Sequence, residues 1–373
     1  MKLISVVGAR PQIIKAAAMS RAIGEHNRKY PAHKIVETVV HTGQHYDENM
    51  SQIFFNELDV PEPGYNLEVG SGSHAEQTGK ILQRIEAVLI KESPDCCLVY
   101  GDTNSTLGGA LSAAKLHIPV AHVEAGLRSF NRKIPEEINR VVTDHVSDVL
   151  FCPTQTAVDN LANEGISEGV HRVGDLMYDC ILFYTKRTKL IEQKILKRLG
   201  IRSKSYYLAT VHRAENTDDG TRLSRIFDAL NQIASTDCPV VLPLHPRTVK
   251  CTHKHGLEFT NWIKVIPPVS YLEMVVLEKN ARLILTDSGG VQKEAYWLSV
   301  PCVTLRDETE WVETVESGWN ILAGADKQRI IDCVQRGHRQ RDVASKSIYG
   351  DGNAAHRICN TLQPPQTKAK SIF

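Results

Sequence analysis

Acidic, basic and imidazole side chains follow eight short apolar runs of this sequence, directly after each run ends. Loops are polar in any protein, so one such segment would indicate little more than contact with water. Eight of them favour a shared cleft, because functional groups collect where the strands of an open α/β sheet end. The eight polar segments begin at Gly8, His41, Gly101, Glu124, His212, His245, Thr286 and Arg306.

Three carboxylates in or near these segments are candidate acid and base groups: Asp102, Glu124 and Glu136. Asp102 could instead cap a helix. Pro135 predicts the first turn of a helix, where Glu136 could complement the helix dipole or pair with Arg140 four residues later. Glu124 directly follows an apolar run and has the weakest structural explanation of the three.

The segment Ser288-Gly289-Gly290 follows an apolar run and opens a predicted helix that continues through Glu294. Glycines there let a ligand approach free backbone N–H groups, and the helix dipole favours an anion. Glu294 would face a hydroxyl pair such as that of a ribose. The segment could also be a tight turn with an N-capping serine. A diphosphate site is favoured because cations follow other runs, namely Arg10, Lys15, Arg213 and His245.

The common cofactor motifs do not occur in the sequence. Gly79-Lys80 lacks the rest of a Walker phosphate loop, and Gly70-Ser71-Gly72 lacks the third glycine of a dinucleotide fingerprint. A nicotinamide is therefore not expected. Cys251, His253 and His255 match no strong metal-ligand spacing, so a solvated loop is favoured over a metal site. We expect neither a cofactor nor a metal.

Amphipathic stretches separate the apolar runs, which show little alternation, as in parallel strands buried on both faces. The alternation of strand and helix occurs twice and predicts an α/β protein of two Rossmann-like, doubly wound parallel-sheet domains facing across a cleft. We place them at residues 1–170 and 171–353. The predicted strands are Leu3–Val7, Ile35–Val40, Cys97–Tyr100, Val120–Val123, Val149–Phe151, Tyr206–Val211, Val240–Leu244, Trp262–Ile266, Arg282–Leu285 and Cys302–Leu305.

Composition excludes several classes of protein. The 373 residues carry 44 Lys and Arg against 43 Asp and Glu, a net charge of +1, which argues against nucleic-acid binding. No apolar run reaches the ~18 residues of a membrane helix, so no membrane partner is expected. Nine cysteines cannot all pair within one chain, and they indicate reduced thiols in a cytoplasmic protein.

Together these residues resemble the UDP-N-acetylglucosamine 2-epimerase family. The resemblance implies the glycosyltransferase-B fold, with the final helix, 354–373, returning to the first domain. It implies UDP binding mainly through the second domain, no metal or nicotinamide, and a homodimer. The motifs that carry it are 8–15 (GARPQIIK), 101–103 (GDT), 122–128 (HVEAGLR), 135–140 (PEEINR), 286–290 (TDSGG) with Glu294, and 349–352 (YGDG).

The resemblance also implies roles for single residues. Lys15 and Arg140 would line the cleft. Gln12 and Trp311 differ from the residues of the common UDP-GlcNAc enzyme of the family, which has Glu at the position of Gln12. Both residues are more similar to a subgroup acting on UDP-2,3-diacetamido-glucuronic acid. In bacterial members of the family, a Gln and an Arg contact UDP-GlcNAc as an activator. These positions fall near Asp47 and Ser71 here, which are different residues. The implied catalytic positions are Asp102, Glu124, Glu136 and His212, and the implied UDP contacts are Arg10, His245, Ser288, Gly289, Gly290 and Glu294.

The expected chemistry follows from the lack of a carbonyl beside C2 of the sugar. Removing the C2 proton while UDP departs gives a 2-acetamidoglucal without a free carbanion, and UDP can add back with protonation on the other face. This requires two acid/base groups and a cationic grip on the diphosphate. The expected function is a non-hydrolysing UDP-GlcNAc 2-epimerase, or one acting on a 3-acetamido uronate derivative, for surface polysaccharide synthesis.

Three alternatives remain open from the sequence. A hydrolysing epimerase would release free ManNAc. A glycosyltransferase of the same fold would use His212 and the Ser288 segment only to bind its donor, although three acidic positions in the first domain argue for proton transfer. A nucleotide-sugar sensor would bind without turnover.

Overall fold

The computed structural model of the protein describes residues 1–44, 57–244, 246–336 and 348–362. The chain divides into two compact units, one of Met1–Cys180 with Ser347–Phe373 and one of Ile181–Lys346. The division falls inside the helix Leu176–Thr188. The boundary expected from the sequence, at residue 170, lies instead at the start of an edge strand of the first sheet. None of the described helices is long and apolar enough to cross a membrane.

The described part of the first unit contains a seven-stranded parallel sheet. Its strands are β1 (Lys2–Val7), β2 (Val36–His41), β3 (Tyr65–Asn66), β4 (Cys96–Tyr100), β5 (Val120–Val123), β6 (Val149–Cys152) and β7 (Val170–Arg172). They pair in the order β3-β2-β1-β4-β5-β6-β7. The helices are α1 (Arg10–Lys29), α2 (His74–Glu92), α3 (Asn104–Lys115), α4 (Pro135–His145), α5 (Gln155–Asn163) and α6 (Leu176–Thr188), which leads into the second unit.

Apolar residues on both faces of β1 and β4 place these two strands at the centre of the first sheet. Val6 packs in one cluster with Val99 of β4 and Ile81 of α2. Gly109 lets α3 approach the sheet closely, because a Cβ there would lie 3.1 Å from a Val99 methyl group and 3.2 Å from a Val6 methyl group. Burial on both faces explains why these runs form parallel strands.

Within the described residues, the second unit has a six-stranded parallel sheet. Its strands are β8 (Tyr207–Thr210), β9 (Val240–Pro243), β10 (Ile263–Ile266), β11 (Leu283–Thr286), β12 (Cys302–Thr304) and β13 (Asn320–Leu322). They pair in the order β10-β9-β8-β11-β12-β13. The helices are α7 (Glu192–Leu199), α8 (Ala214–Thr217), α9 (Gly220–Ile233), α10 (Pro246–Lys254), α11 (Tyr271–Asn280), α12 (Gly289–Trp297), α13 (Val312–Glu316) and α14 (Lys327–Arg336).

Both sheets have the strand order of a doubly wound fold. The direction of strand addition reverses between β1 and β4 in the first unit, and between β8 and β11 in the second. Loops leave such neighbouring strands on opposite faces, so a crevice opens at their carboxyl ends. The predicted fold class, two Rossmann-like parallel-sheet domains, is confirmed. Each candidate segment that follows β1, β4, β8 or β11 lies at the crevice of its own sheet.

The last described helix, α15 (Ala354–Leu362), packs against α1 in the first unit. Asp179 on α6 caps its first turn, because a carboxylate oxygen accepts a hydrogen bond from the Ala355 N–H at 2.8 Å. Burial raises the pKa of Asp179 to about 6, and backbone hydrogen bonds from Ala355 and Ala354 oppose it only in part. The remainder of the predicted final helix, 363–373, lies outside the described residues.

We expect Asp179→Asn to flatten the pH dependence of stability. The folded-state pKa of Asp179 exceeds its ordinary value of 3.8, so the folded protein holds this proton to a higher pH. The carboxyl therefore lowers the free energy of unfolding as the pH rises from about 4 to about 6, by on the order of 2 kcal/mol. Urea unfolding of wild type and variant at about pH 4.5 and about pH 7.5 measures the difference.

The exposed Asp159 on α5 provides the control, since Asp159→Asn removes a carboxyl from the surface of the same unit. It should leave the difference between the two pH values as in wild type. An Asp179→Asn protein that still loses the wild-type amount of stability between them would contradict this prediction.

Candidate active site

A buried ion pair lies at the carboxyl edge of the first sheet. Lys15, on α1, binds the carboxylate of Glu124, which follows β5, and both side chains are buried. The Gly101 backbone at the end of β4 lies against this pair, since a Cβ there would lie 3.4 Å from Glu124 Oε2 and 3.5 Å from Lys15 Nζ. The structure thus brings together predicted groups from three different segments of the chain.

Glu124 has a strained backbone. Its φ is 72°, in the left-handed region that residues other than glycine seldom adopt. The N–H groups of Glu124 and Ala125 both donate to the Phe151 carbonyl, at 3.1 and 3.2 Å. Strain of this kind costs on the order of 1–3 kcal/mol and is typical of functional sites, where the surroundings hold it in place. The observation favours a functional role for Glu124.

Asp102 is held by an ion pair with Arg140 of α4. The Asp102 carboxylate is one-third exposed, whereas Arg140 is buried. Arg140 also binds Glu137 at 2.9 Å, and Glu137 accepts the N–H groups of Ser129 and Phe130 at 3.0 and 2.8 Å. Burial opposes ionisation of Glu137, but these hydrogen bonds and Arg140 outweigh it and lower its pKa. Glu137 therefore positions the arginine that holds Asp102.

Glu136 precedes Glu137 in the sequence but differs from it in burial and in contacts. It is half-buried on the first turn of α4, and its carboxylate makes no hydrogen bond or ion pair with the described residues. The structural alternative, a pair of Glu136 with Arg140, is therefore not what α4 forms. Arg10, the first residue of α1, is half-buried at the end of β1.

Gln12 fixes the turn between β1 and α1. Its Oε1 accepts the N–H groups of Gly8 and Ala9 at 2.8 and 3.0 Å. Its Nε2 donates to the Tyr100 carbonyl at 2.7 Å and to the Thr106 hydroxyl at 2.9 Å. The side chain thus ties the β1 turn to the end of β4.

Asp287 is the central group at the carboxyl edge of the second sheet. Its fully buried carboxylate accepts the N–H groups of His212 and Arg213, each at 3.0 Å, and the Asn216 amide at 3.1 Å. His212 Nδ1 lies 3.5 Å from the same carboxylate, and the imidazole is half-exposed. Asp287 therefore determines how the segment after β8 presents His212 and Arg213.

The Ser288 segment begins a helix as predicted, since α12 starts at Gly289. The N-capping alternative also applies: Ser288 Oγ accepts the Val291 N–H at 3.5 Å. The N–H groups of the first turn of a helix have no partner within the helix, so α12 presents donors and the positive end of its dipole at this edge. Glu294, one turn later, is buried and accepts from the Tyr271 hydroxyl at 3.0 Å.

Two arginines and a carboxylate surround the start of α12. Glu310 binds Arg306 at 3.0 Å and lies 3.9 Å from Arg213. A Cβ on Gly289 would lie 2.5 Å from Glu310 Oε1 and 3.0 Å from Trp311 Nε1, so any larger residue would displace the Glu310 carboxylate. His245, a predicted contact of the same edge, lies outside the described residues.

The two edges are suited to different chemistry. The edge of the first unit holds carboxylates beside a lysine and an arginine, which suits proton transfer. The edge of the second unit holds a helix N-terminus and cations, which suits an anion such as a diphosphate. Over residues 1–44, 57–244, 246–336 and 348–362, no group of three or more His, Cys, Asp or Glu side chains is placed to hold a metal ion.

Several residues of these edges were not among the predicted site residues. Gln12, Asn216 and Asp287 act through hydrogen bonds over long sequence separations, which a single sequence does not reveal. Glu137 and Glu310 instead bind arginines three and four residues away. Asp287 could have been found, since it directly precedes the Ser288 segment after an apolar run. These residues are Gln12, Glu137, Asn216, Asp287 and Glu310.

Comparison with known proteins gives matches over nearly the whole chain. A model of the UDP-N-acetylglucosamine 2-epimerase family matches residues 28–363. A UDP-N-acetylglucosamine 2-epimerase homolog of Methanococcus maripaludis is 52% identical over 370 residues, which are 97% of this chain and 99% of that protein. The UDP-2,3-diacetamido-2,3-dideoxy-D-glucuronate 2-epimerase of Pseudomonas aeruginosa is 50% identical over 366 residues, with the same coverage of both chains.

A solved structure has the same fold. The crystal structure of Methanocaldococcus jannaschii UDP-GlcNAc 2-epimerase in complex with UDP-GlcNAc and UDP is 46% identical, with a TM-score of 0.87. It covers 97% of this chain, and this chain covers 99% of it. These findings confirm the resemblance that the motifs indicated. The chain belongs to the UDP-N-acetylglucosamine 2-epimerase family.

Proposed function

We propose that this protein is a non-hydrolysing 2-epimerase that interconverts UDP-GlcNAc and UDP-ManNAc or the corresponding 3-acetamido uronates. The observation that carries the proposal is the match, at 46–52% identity over 97% of the chain, to epimerases of such UDP-sugars. The two sheet edges fit this activity, because one holds acid/base groups and the other an anion site.

The proposed reaction is an elimination followed by an addition. A base removes the C2 proton while the C1–O bond to UDP breaks, which gives a C1–C2 double bond and free UDP in the site. UDP then adds to C1 as an acid protonates C2 from the opposite face. Each acid/base group of this kind typically contributes ~10²–10⁴-fold to the rate.

We assign the proton transfers to Asp102, Glu124 and Glu136, with His212 as a further catalytic group. The assignment is supported by the contacts of each residue. Glu124 pairs with Lys15, whose positive charge favours the carboxylate form that accepts a proton. Asp102 is held by Arg140 yet remains one-third exposed. Glu136 keeps a carboxylate without a described partner.

We assign binding of the departing diphosphate to the start of α12, at Ser288, Gly289 and Gly290, with Arg213. Negative charge grows on UDP as the C1–O bond breaks, and preorganised N–H groups and cations stabilise that charge. Glu294, held by Tyr271, is positioned to accept hydrogen bonds from the ribose hydroxyls. Arg10, Lys15, Arg140 and His245 complete the proposed contacts.

The sugar is either an N-acetylhexosamine or a 3-acetamido uronate. The relative from Pseudomonas aeruginosa is named for the diacetamido-glucuronate, and it is closer in identity than the UDP-GlcNAc epimerase of Methanocaldococcus jannaschii at 48%. The homolog from Methanococcus maripaludis at 52% carries the UDP-GlcNAc name. We keep UDP-GlcNAc first and test both sugars together.

We infer a homodimer in the cytoplasm. The support for this location is that all nine cysteines are free thiols, eight of them buried. Light scattering coupled to gel filtration tests the dimer.

We predict that deuterium enters at C2 when the protein is incubated with its substrate in D₂O. Proton removal and return at C2 exchange that hydrogen with solvent, whereas a glycosyltransferase leaves it in place. NMR of UDP-GlcNAc and of the 3-acetamido uronate analogue, in separate tubes, follows the exchange and identifies the sugar.

The products distinguish the other outcomes. An equilibrium mixture of two UDP-sugars, each still carrying its UDP, supports the proposal. Accumulation of free ManNAc would indicate a hydrolysing enzyme, and binding without any exchange of either sugar would indicate a sensor.

We predict that Asp102→Asn, Glu124→Gln and Glu136→Gln each lower turnover by about 10²-fold or more, since each removes a group that can transfer a proton. UDP affinity should remain within about threefold of wild type, because the start of α12, Arg213 and Glu294, which are assigned to the diphosphate and the ribose, lie in the other unit. Initial rates and calorimetric UDP titrations measure the two effects.

Glu25→Gln is the matched control, because Glu25 is an exposed carboxylate of the same unit that pairs with His356. It should turn over at the wild-type rate. Wild-type turnover in all three site variants would overturn the assignment.

We predict that Gly289→Ala weakens UDP binding by about tenfold or more. The new Cβ would lie 2.5 Å from Glu310 Oε1, so the Glu310 carboxylate has to shift and its contacts with Arg306 and Arg213 beside the start of α12 change. Gly79→Ala in α2 is the control, since a Cβ there meets nothing within 4 Å. Equal UDP affinity of the two variants, measured by calorimetry, would contradict the prediction.

A further inference from the structure

His122 in β5 lies between two hydrogen-bond acceptors in the core of the first unit. The side chain is fully buried, and the proposed reaction does not use it. Its Nδ1 is 2.6 Å from Asp144 Oδ1, and its Nε2 is 2.8 Å from the Gly101 carbonyl oxygen. A carbonyl and an ionised carboxylate can only accept, so each contact requires a proton on the ring nitrogen.

Asp144 is ionised in this position. Burial opposes its ionisation, but the charges and hydrogen bonds of His122 and Arg128 outweigh burial and lower the pKa of Asp144. Arg128 binds the second carboxylate oxygen at 2.7 Å, and the Gly126 N–H donates to the same oxygen at 3.1 Å. The ion pair with the buried Arg128 favours the ionised carboxylate, so Nδ1 is the donor of the 2.6 Å contact.

The charges of this cluster favour a proton on both nitrogens of the imidazole. Arg128 also binds Glu164 through two hydrogen bonds of 2.7 and 2.8 Å. Asp144 is fully buried, whereas Glu164 is one-quarter exposed and also lies 3.8 Å from the half-exposed His145. The Cys152 thiol adds no charge, because burial and Asp144 raise its pKa. Arg128 is thus shared between two carboxylates, and a second positive charge beside the buried Asp144 is favourable.

We propose that His122 donates a hydrogen bond from each of its ring nitrogens and acts as a positioning residue that fixes the Gly101–Asp102 peptide. The Gly101 carbonyl that it binds shares a peptide plane with the Asp102 N–H. Gly101 is in the left-handed region, with φ 64°, where a free loop could easily change its direction. The inference rests on the proposed function for its effect on catalysis, because Asp102 is one of the residues assigned to proton transfer.

Further contacts show what a misplaced peptide would disturb. Asn139 donates to the Asp102 carbonyl at 2.9 Å, and Arg140 binds the Asp102 carboxylate. The Gly101 backbone also lies against the Glu124 carboxylate, as a Cβ there would be 3.4 Å from Glu124 Oε2. His122 therefore helps to set the spacing between Asp102 and Glu124, although it contacts neither carboxylate.

NMR of the protein with ¹⁵N-labelled histidine tests the protonation state directly and needs no turnover. We expect two N–H protons on the His122 ring at about pH 7, because each ring nitrogen faces a hydrogen-bond acceptor. His122→Gln assigns the resonances. A His122 ring with a single proton at about pH 7 would overturn the proposal, whether or not the enzyme proves to be an epimerase.

Kinetics test the positioning role. His122→Gln should lower kcat by about 10²-fold with KM within about threefold of wild type, since small displacements of catalytic groups cost rates of this order. His26→Gln is the control: His26 is a buried histidine of α1 in the same unit, away from the sheet edge. Wild-type kcat in a folded His122→Gln protein would overturn the positioning role.

Asp144→Asn keeps the test decisive if His122→Gln does not fold. It removes one negative charge but leaves an amide oxygen to accept from Nδ1. We expect a single proton on the His122 ring at about pH 7 and a lower kcat, because the ring then donates only one of its two hydrogen bonds. An imidazolium that persists in this variant, with wild-type kcat, would show that Asp144 does not hold the charge and would contradict the proposal.

Discussion

A charge that is removed from water must meet an opposite charge or a set of hydrogen-bond donors, and both sheet edges depend on this requirement. Glu124 is matched by Lys15, and Asp102 by Arg140. Asp287 is fully buried and is matched chiefly by backbone and amide N–H groups of the segment after β8. Because each partner comes from a different strand end, forming these contacts fixes the loops of each edge together. The geometry of each edge thus follows from satisfying its buried charges.

Much of the fold could be predicted because the central strands are nearly continuous apolar runs. The run Cys97–Tyr100 is buried on both faces and became β4 with one residue added. Three strands, β3, β7 and β13, were not predicted. Each lies at the edge of its sheet, has only two or three residues and is partly exposed. A strand of this kind forms because a neighbouring strand offers its hydrogen bonds, and its own composition does not show this.

The contacts of the site also fall into two kinds, those that the sequence composition predicts and those that only the fold creates. Glu124 was prominent because a carboxylate after an apolar run has few structural explanations. The pairing of Glu136 with Arg140 looked reasonable from the four-residue spacing, yet Arg140 turns to Asp102 and Glu137. Asp102 lies 38 residues from Arg140 in sequence. Spacing rules describe neighbours on one helix, so they cannot anticipate a stronger partner that a sheet brings from elsewhere.

The proposed chemistry explains why so many contacts in this chain serve to orient the site residues. No carbonyl acidifies the C2 proton, and the proposed reaction instead couples its removal to departure of UDP. Coupling of this kind works only while the base, the C2–H bond and the C1–O bond stay aligned, so a loop that drifts by a fraction of an ångström loses rate steeply. Left-handed backbone at Glu124 is costly to hold, and the buried partners of this segment make it the stable conformation. Rigid edges of this kind are therefore what the proposed elimination requires.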